Sequence, residues 1–126
     1  MSERPQLLYY QDILESGIAI QSYVKGLTRE AFVQDRMRYS AVIREFEIIG
    51  EAVGKLSTAL KDEYSGVPWQ DIKDFRNLLA HEYFGVDLEI VWNTIHDDLP
   101  LLMDAVQGMV KGISPELRRA AVTLHR

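Results

Sequence analysis

Apolar residues recur at helical spacing along most of the chain, and strand-like alternation between hairpin turns is missing from the sequence. This pattern predicts an all-α protein. Gly26 is expected to end a first helix that starts at residue 7, because glycine carries no penalty for the left-handed conformation. Thr28 is expected to cap a short second helix through Phe32. The stripe of the first helix, with Ser16 completing the spacing, consists of Tyr9, Ile13, Ile20, Tyr23 and Leu27.

The third predicted helix has the clearest pattern, with apolar steps of three and four over three heptads. Such a seam is typical of a bundle helix that packs at a shallow angle. Gly50 and Gly54 lie four residues apart on a neighbouring face. Because glycine weakens a helix, we expect close backbone approach there, with simple tolerance as the alternative. The seam residues are Tyr39, Val42, Phe46, Ile49, Val53, Leu56 and Leu60.

A turn at residues 65–68 precedes a fourth predicted helix over residues 69–84, which Gly85 ends. Asp87 is expected to cap a fifth helix, and Pro100 to kink it near Asp97. Residues 1–111 are therefore expected to form an antiparallel bundle of four to five main helices. Residues 112–126, with Ser114 as a candidate cap, are predicted to be a short helix or disordered. The apolar pattern of the fifth helix is Leu88, Trp92, Ile95, Leu99, Leu102, Val106 and Met109.

Composition narrows the function classes. The chain has 126 residues, 47% of them hydrophobic, which suits one domain with a real core. We expect a cytoplasmic protein, because neither a membrane-spanning apolar run nor a secretory signal is visible. The absence of cysteine excludes disulfides, zinc ribbons and thiol nucleophiles. A net charge of -5 excludes a generic basic coat for nucleic acid but leaves room for a local basic patch.

The fourth predicted helix has two different faces. At ~100° per residue, four apolar residues fall on one arc, the expected core side: Ile72, Phe75, Leu78 and Leu79. The opposite arc gathers Lys73, Asn77 and His81, with Arg76 at its edge and Tyr83 beside Arg76. Asn77 lies one turn before His81 and can orient its imidazole. An ammonium, a guanidinium, an amide and an imidazole thus share one side of the helix.

These groups suit the chemistry of a phosphodiester. Arginine presents forked donors to phosphate oxygens, and histidine can move a proton near neutral pH. Metal-free RNA cleavage would follow if the ribose 2′-OH attacked the adjacent phosphate. A single His81 does not easily act as both base and acid, whereas a two-fold dimer would supply two imidazoles. Spacing alone favours a simpler explanation, since cations are common at the negative end of a helix dipole.

Several blocks occur in a specific order: residues 48–52, 55–57, 67–69, 75–84, 91–95 and 98–102. Together they resemble the HepT-like branch of the HEPN superfamily, over residues 9 to about 103. The resemblance implies an all-α homodimer that acts as the toxin of a type II-like toxin–antitoxin pair. It implies a metal-independent ribonuclease without a cofactor, for which tRNA and mRNA are candidate substrates.

The resemblance also assigns roles to residues. The family's Arg-x4-His-x-Tyr motif falls on Arg76, His81 and Tyr83, which implies that Arg76 and His81 are catalytic and that Asn77 supports them. Tyr83 resembles the tyrosine that a cognate MntA-type minimal nucleotidyltransferase antitoxin modifies with AMP from ATP. Two alternatives are a non-catalytic dimeric module that serves a nucleotidyltransferase as AMP acceptor or antagonist, and a plain helical interaction protein.

For other charged and aromatic residues, a purely structural role is weighed against a functional one. Lys73, Arg36 and Arg38 are candidate RNA contacts, and an ordinary helix surface is the alternative for the two arginines. Glu47 and Glu51, one turn apart, are interpreted as a solvated face rather than as metal ligands, so no metal is expected. The two tryptophans, Trp69 and Trp92, are expected to pack in the core.

Overall fold

The computed structural model describes residues 3–81 and 85–113, with side chains from residue 6 and without those of residues 80 and 81. These residues form helices and contain no strand, so the all-α prediction is confirmed. None of the helices in this part of the chain is long and apolar enough to cross a membrane. The helices are α1 (Glu3–Val24), α2 (Arg29–Gln34), α3 (Arg36–Gly54), α4 (Thr58–Glu63), α5 (Trp69–His81), α6 (Leu88–Asp97) and α7 (Leu99–Lys111).

Helices α1 and α3 form an antiparallel pair at the centre of the bundle. Near the start of α1, the Gln6 side chain donates to the Lys55 carbonyl and accepts from the Ser57 backbone N–H, both at 3.3 Å. Near the end of α1, Arg38 Nη1 donates to the Tyr23 carbonyl at 2.8 Å. The start of each helix therefore lies beside the end of the other. Helix α7 packs against α1, and α5 packs against α3.

The core is made mostly of aliphatic side chains from α1, α3, α5, α6 and α7, together with the aromatic rings of Tyr10, Phe32 and Phe46. Burying each large side chain contributes about 1.5–3 kcal/mol. Trp69 and Trp92 pack against this core but remain partly exposed, so they line its edge. The Trp92 ring contacts Phe32, with 5.3 Å between ring centroids. The fully buried members include Leu7, Ile13, Ile20, Val42, Ile49, Leu99 and Val106.

The end predicted for the third helix is wrong. The apolar pattern extends to Leu60, but α3 ends at Gly54 and a separate helix, α4, starts at Thr58. Ser57 caps α4 by accepting from the Leu60 backbone N–H at 3.2 Å. A serine that satisfies this free N–H favours a new helix start over continuation. Leu56 stays buried across the break, which is why the apolar spacing alone hides it.

The fifth predicted helix is also two helices. Instead of a kink near Asp97, the chain ends α6 there and starts α7 at Leu99. Pro100 occupies the first turn of α7, where its missing N–H removes no helical hydrogen bond. The predicted caps are confirmed, since Thr28 accepts from Ala31 N–H at 3.1 Å and Asp87 from Glu89 N–H at 2.9 Å. The predicted end of α5 at residue 84 and the tail from residue 114 lie outside the described residues.

Candidate active site

Helix α5 turns the predicted apolar arc toward the bundle. Ile72 and Leu79 are buried, and Leu78 is half-buried. Phe75 packs edge-on against Phe46 of α3, with 5.1 Å between ring centroids. These contacts fix the rotation of α5 about its axis. The opposite face, on which Lys73 and Asn77 are exposed, is therefore directed away from the core.

Arg76 leaves α5 across the backbone of Gly50 in α3. A Cβ atom built on Gly50 would lie 2.6 Å from Arg76 Cγ and 2.9 Å from its Cβ and Cδ, closer than real Cβ atoms come. The close approach to the backbone predicted for this glycine is confirmed, and the group that approaches it is the Arg76 side chain. The same prediction is wrong for Gly54, because a Cβ there would meet no heavy atom within 4 Å. Gly54 instead borders open space.

Glu51 is the counter-ion of Arg76. Arg76 Nη2 donates to Glu51 Oε1 in an ion pair whose side chains are 41% and 64% exposed, respectively. Exposed pairs contribute little, about 0–1 kcal/mol, because water screens them. The guanidinium is thus aimed by Gly50 and Glu51 but remains open to another anion. The sequence pattern placed Glu51 on a solvated face, because only the packing of α3 on α5 brings together residues 25 positions apart.

A groove of about 440 Å³ opens beside Arg76 between α3, α4 and α5. We call it the α3–α5 groove. Three cations line it, namely Lys61, Lys73 and Arg76, and none of its lining residues is acidic. Burial lowers the pKa of the Lys61 ammonium, and the charge of Lys73 lowers it further. Its remaining walls are Gly50, Val53, Gly54, Trp69, Gln70 and Ile72.

The predicted site residues on α5 are only partly described. Lys73 lines the groove, and Asn77 is exposed one turn further along the helix. His81 is the last residue of α5, but its side chain lies outside the described residues, as does the whole of Tyr83. The catalytic role of His81, the supporting role of Asn77 and the modification of Tyr83 therefore stay predictions.

Arg36 and Arg38 lie at the other end of α3 from Gly50. Fourteen residues separate positions 36 and 50, about 21 Å along a helix. Arg38 also binds the protein's own groups, with Nε 3.0 Å from Asp35 Oδ2 in addition to its bond to the Tyr23 carbonyl. Within one chain, the structure does not bring these two arginines to Arg76. Lys61, which the sequence did not single out, takes their place.

Two carboxylates of α3 were also considered as metal ligands. In residues 3–81 and 85–113, no group of three or more His, Asp or Glu side chains could hold a metal ion. Glu47, one of the two glutamates weighed as a ligand, instead forms a 3.6 Å ion pair with Arg44. The other, Glu51, pairs with Arg76. Lys61, Lys73 and Arg76 offer fixed positive charges to which an anion can bind.

Comparison with known proteins gives consistent matches. The family described as Ribonuclease HepT-like matches residues 13–109. "Putative RNase TTE0752" of Caldanaerobacter subterraneus subsp. tengcongensis is 39% identical over 103 residues, which are 82% of this chain and 92% of that protein. "Probable ribonuclease HepT" of Thermococcus cleftensis is 36% identical over 103 residues, 82% of this chain and 94% of that protein.

One similar protein is much longer. "Gamma-glutamylcyclotransferase and putative RNase MJ0434" of Methanocaldococcus jannaschii is 36% identical over 99 residues, which are 79% of this chain but 45% of that protein. The chain thus spans less than half of that relative. No solved structure matches this chain.

Proposed function

Because this chain belongs to the Ribonuclease HepT-like family, we propose that it is a metal-independent endoribonuclease and the cytoplasmic toxin of a toxin–antitoxin pair. The observation that carries the proposal is the setting of Arg76. Its guanidinium is aimed by Gly50 and Glu51 at the edge of a groove that two lysines also line. In a chain of net charge -5, this is a local site for a phosphate.

The proposed reaction needs a base, an acid and a stabiliser of negative charge. The ribose 2′-OH attacks the adjacent phosphorus while an imidazole takes its proton. The bond from phosphorus to the 5′-oxygen then breaks, and an imidazolium protonates that oxygen, which leaves a 2′,3′-cyclic phosphate and a 5′-hydroxyl. His81 is the proposed proton carrier, and Asn77 orients it. Arg76 stabilises the extra charge on the phosphorane.

The proposal includes a homodimer, because one imidazole cannot easily give and take a proton in the same turnover. Two copies of α5 facing each other across a two-fold axis would place two His81 side chains at one shared cleft. Sedimentation of the purified chain tests this part. A stable monomer that cleaves RNA at the full rate would contradict the dimer without touching the role of Arg76.

We propose that adenylylation of Tyr83 by a nucleotidyltransferase partner silences the enzyme. The fourth helix predicted from the sequence runs to residue 84, and on its helix wheel Tyr83 is expected beside Arg76. An AMP group there adds a phosphate that can pair with the guanidinium and fill the space of the substrate phosphate. Tyr83→Phe is expected to stay active when the partner and ATP are present. If this variant is still switched off, another residue is the acceptor.

The proposed activity is tested with purified protein, RNA and a metal chelator. The wild type is expected to cleave RNA, and His81→Ala to lose about 10²–10⁴-fold in rate. Equal cleavage by both would contradict the role of His81. If neither cleaves RNA while Tyr83 still accepts AMP, the chain is the non-catalytic AMP acceptor instead.

A further inference from the structure

We propose that the α3–α5 groove is a second phosphate-binding subsite, which holds an RNA nucleotide next to the one whose phosphate binds Arg76. The inference deepens the proposed function and rests on it, because that function supplies RNA as the occupant. Lys61 of α4 and the indole of Trp69 are the newly assigned residues of this subsite, and they join Lys73, which the sequence already suggests as an RNA contact. The charge, the shape and the rigidity of the groove support this proposal.

The first step is charge. Lys73 and Arg76 are three residues apart on α5 and therefore neighbours on its surface. Lys61 adds a third cation from a different helix, α4. Among the described residues, neither lysine forms an ion pair with a carboxylate. Three cations that face one groove exceed what a single phosphate needs, and a chain of phosphates would be the matching ligand.

The electrostatics of Lys61 support this view. Its pKa is lowered first by burial and then by repulsion from the charge of Lys73, which lines the same groove. A phosphate bound between them would relieve that repulsion and favour both charged forms.

The second step is shape. At about 440 Å³, the groove lies within the range of roughly 300–1,000 Å³ typical of small-ligand pockets. Besides its cations it has apolar walls from Val53, Ile72 and Trp69. Gly54 leaves its side of the groove open, with no heavy atom within 4 Å of a Cβ built there. A nucleotide, which joins an apolar base to a phosphate, fits this combination.

The third step is rigidity. Trp69 Nε1 donates to the carbonyls of Lys61 and Tyr64 at 3.0 and 3.1 Å. These bonds fasten the start of α5 to the end of α4 and hold the indole in one place. Proteins that bind single strands use such fixed aromatic walls for bases, alongside cations for phosphates. The groove thus has the two features of a single-strand subsite on a preformed frame.

The main test measures binding without cleavage. The probe is a short 2′-O-methyl RNA, which lacks the attacking hydroxyl, and its affinity for the full chain is measured over a range of salt concentrations. Each phosphate contact in a single strand contributes about 0.7 to the slope of log K against log salt. The double variant Lys61→Gln/Lys73→Gln is expected to lower this slope by about 1.4, two contacts at about 0.7 each.

A matched control separates the groove from net charge. Lys25→Gln/Lys111→Gln removes two positive charges from exposed positions outside the groove. Its slope is expected to stay within about 0.3 of the wild type, since it removes no phosphate contact. Equal slopes for both double variants would overturn the subsite, because charge alone would then explain the effect.

A second variant keeps every charge. Gly54→Leu places a side chain in the open space of the groove. Its matched control is Gly66→Leu, which places the same side chain at an equally open position outside the groove, in the turn before α5. Gly54→Leu is expected to weaken probe binding about tenfold, the scale of one lost base contact, and Gly66→Leu to leave it unchanged. Unchanged binding by a folded Gly54→Leu protein overturns the proposal, and the lysine variants decide the matter if that protein does not fold.

The two proposals fail in different ways. If the wild type binds the probe with the predicted lysine dependence but cleaves no RNA, the subsite stands and the ribonuclease function fails. If RNA cleavage depends on Arg76 and His81 while the groove variants bind and cleave like the wild type, the ribonuclease stands and the subsite fails. A wild type that does not bind the probe at all also overturns the subsite.

Discussion

Two groups of cations among the described residues, one at the α2–α3 corner and one in the α3–α5 groove, are used differently. At the α2–α3 corner, Arg29 pairs with Glu89 at 3.0 Å, and Arg38 pairs with Asp35 and the Tyr23 carbonyl. These arginines connect helices to each other. In the α3–α5 groove, Lys61 and Lys73 have no carboxylate partner among the described residues. The number of cations in a segment is therefore a poor guide to anion binding. What matters is whether the fold already pairs those cations with carboxylates or carbonyls.

This difference offers an explanation of how an acidic chain could bind the proposed RNA substrate. A net charge of -5 predicts weak non-specific attraction to RNA over the surface as a whole. The groove concentrates positive charge where Arg76 is aimed, so affinity is expected to depend on a few residues. Substitutions at the corner and in the groove therefore test whether the two groups of cations are used differently.

The glycines of α3 give the sharpest contrast. Gly50→Ala forces Arg76 or α5 to move, because the new Cβ would overlap the Arg76 side chain near its backbone. We expect a loss of about 1–3 kcal/mol in unfolding free energy and a clear drop in cleavage. Gly54→Ala meets no atom and is expected to gain up to about 1 kcal/mol. Chemical denaturation of both variants checks this, and equal stabilities would contradict the close approach.

Arg38→Gln tests the structural use of the corner cations. It removes the ion pair with Asp35 and the bond to the Tyr23 carbonyl, with an expected cost of about 1 kcal/mol after allowing for exposure. The Tm is expected to fall by about 4 °C, whereas exposed Arg36→Gln barely changes it. Lys73→Gln, in the groove, is expected to lower the affinity for RNA while it leaves the Tm nearly unchanged. A thermal melt in which both arginine variants behave alike would contradict this assignment.

Glu51→Gln tests the counter-ion of the proposed catalytic arginine. Removing the carboxylate frees the guanidinium for phosphate, so the affinity for 2′-O-methyl RNA is expected to rise about two- to fivefold. Glu47→Gln, one turn earlier on α3, makes the same change in net charge and is the matched control. A gain of equal size in both variants would show that general charge, rather than the contact with Arg76, limits binding.

The smallest expected effect concerns Asp98, away from the groove. Burial raises the pKa of its carboxyl, and the charges of Asp71 and Asp97 raise it further. The folded chain then binds this proton more tightly than the unfolded chain, so stability falls as pH rises above 3.8. Asp98→Asn is expected to raise the Tm at neutral pH by roughly 2 °C and to give no gain well below 3.8. A gain that persists in acid would contradict this cause.

Much of the fold could be predicted from the chain, because helical periodicity reports which side of a helix is buried. Periodicity predicts the apolar arc of α5, and the residue types Thr28 and Asp87 predict two of the helix caps. The periodicity could not reveal the break before Ser57, because Leu56 keeps its place in the apolar spacing on either side of it. Local hydrogen bonding decides such breaks, and it leaves little trace in a hydrophobic pattern.

The candidate site also has one part that the sequence predicts and one part that only the packed structure reveals. The helix wheel of α5 and the family resemblance, which the match to residues 13–109 confirms, lead to Arg76. They do not lead to Glu51 or Lys61, whose importance depends on how α3 and α4 pack against α5. Residues on one helix can be related by counting, whereas contacts between helices require the packed structure.

The central claim is that the Arg76 guanidinium stabilises a phosphate during RNA cleavage. The most direct measurement is the single-turnover cleavage rate of Arg76→Gln in a chelator, with saturating protein and with a melting curve to show that it is folded. The account predicts a loss of about 10²–10³-fold relative to the wild type. A folded Arg76→Gln protein that cleaves RNA at a rate close to that of the wild type would contradict it.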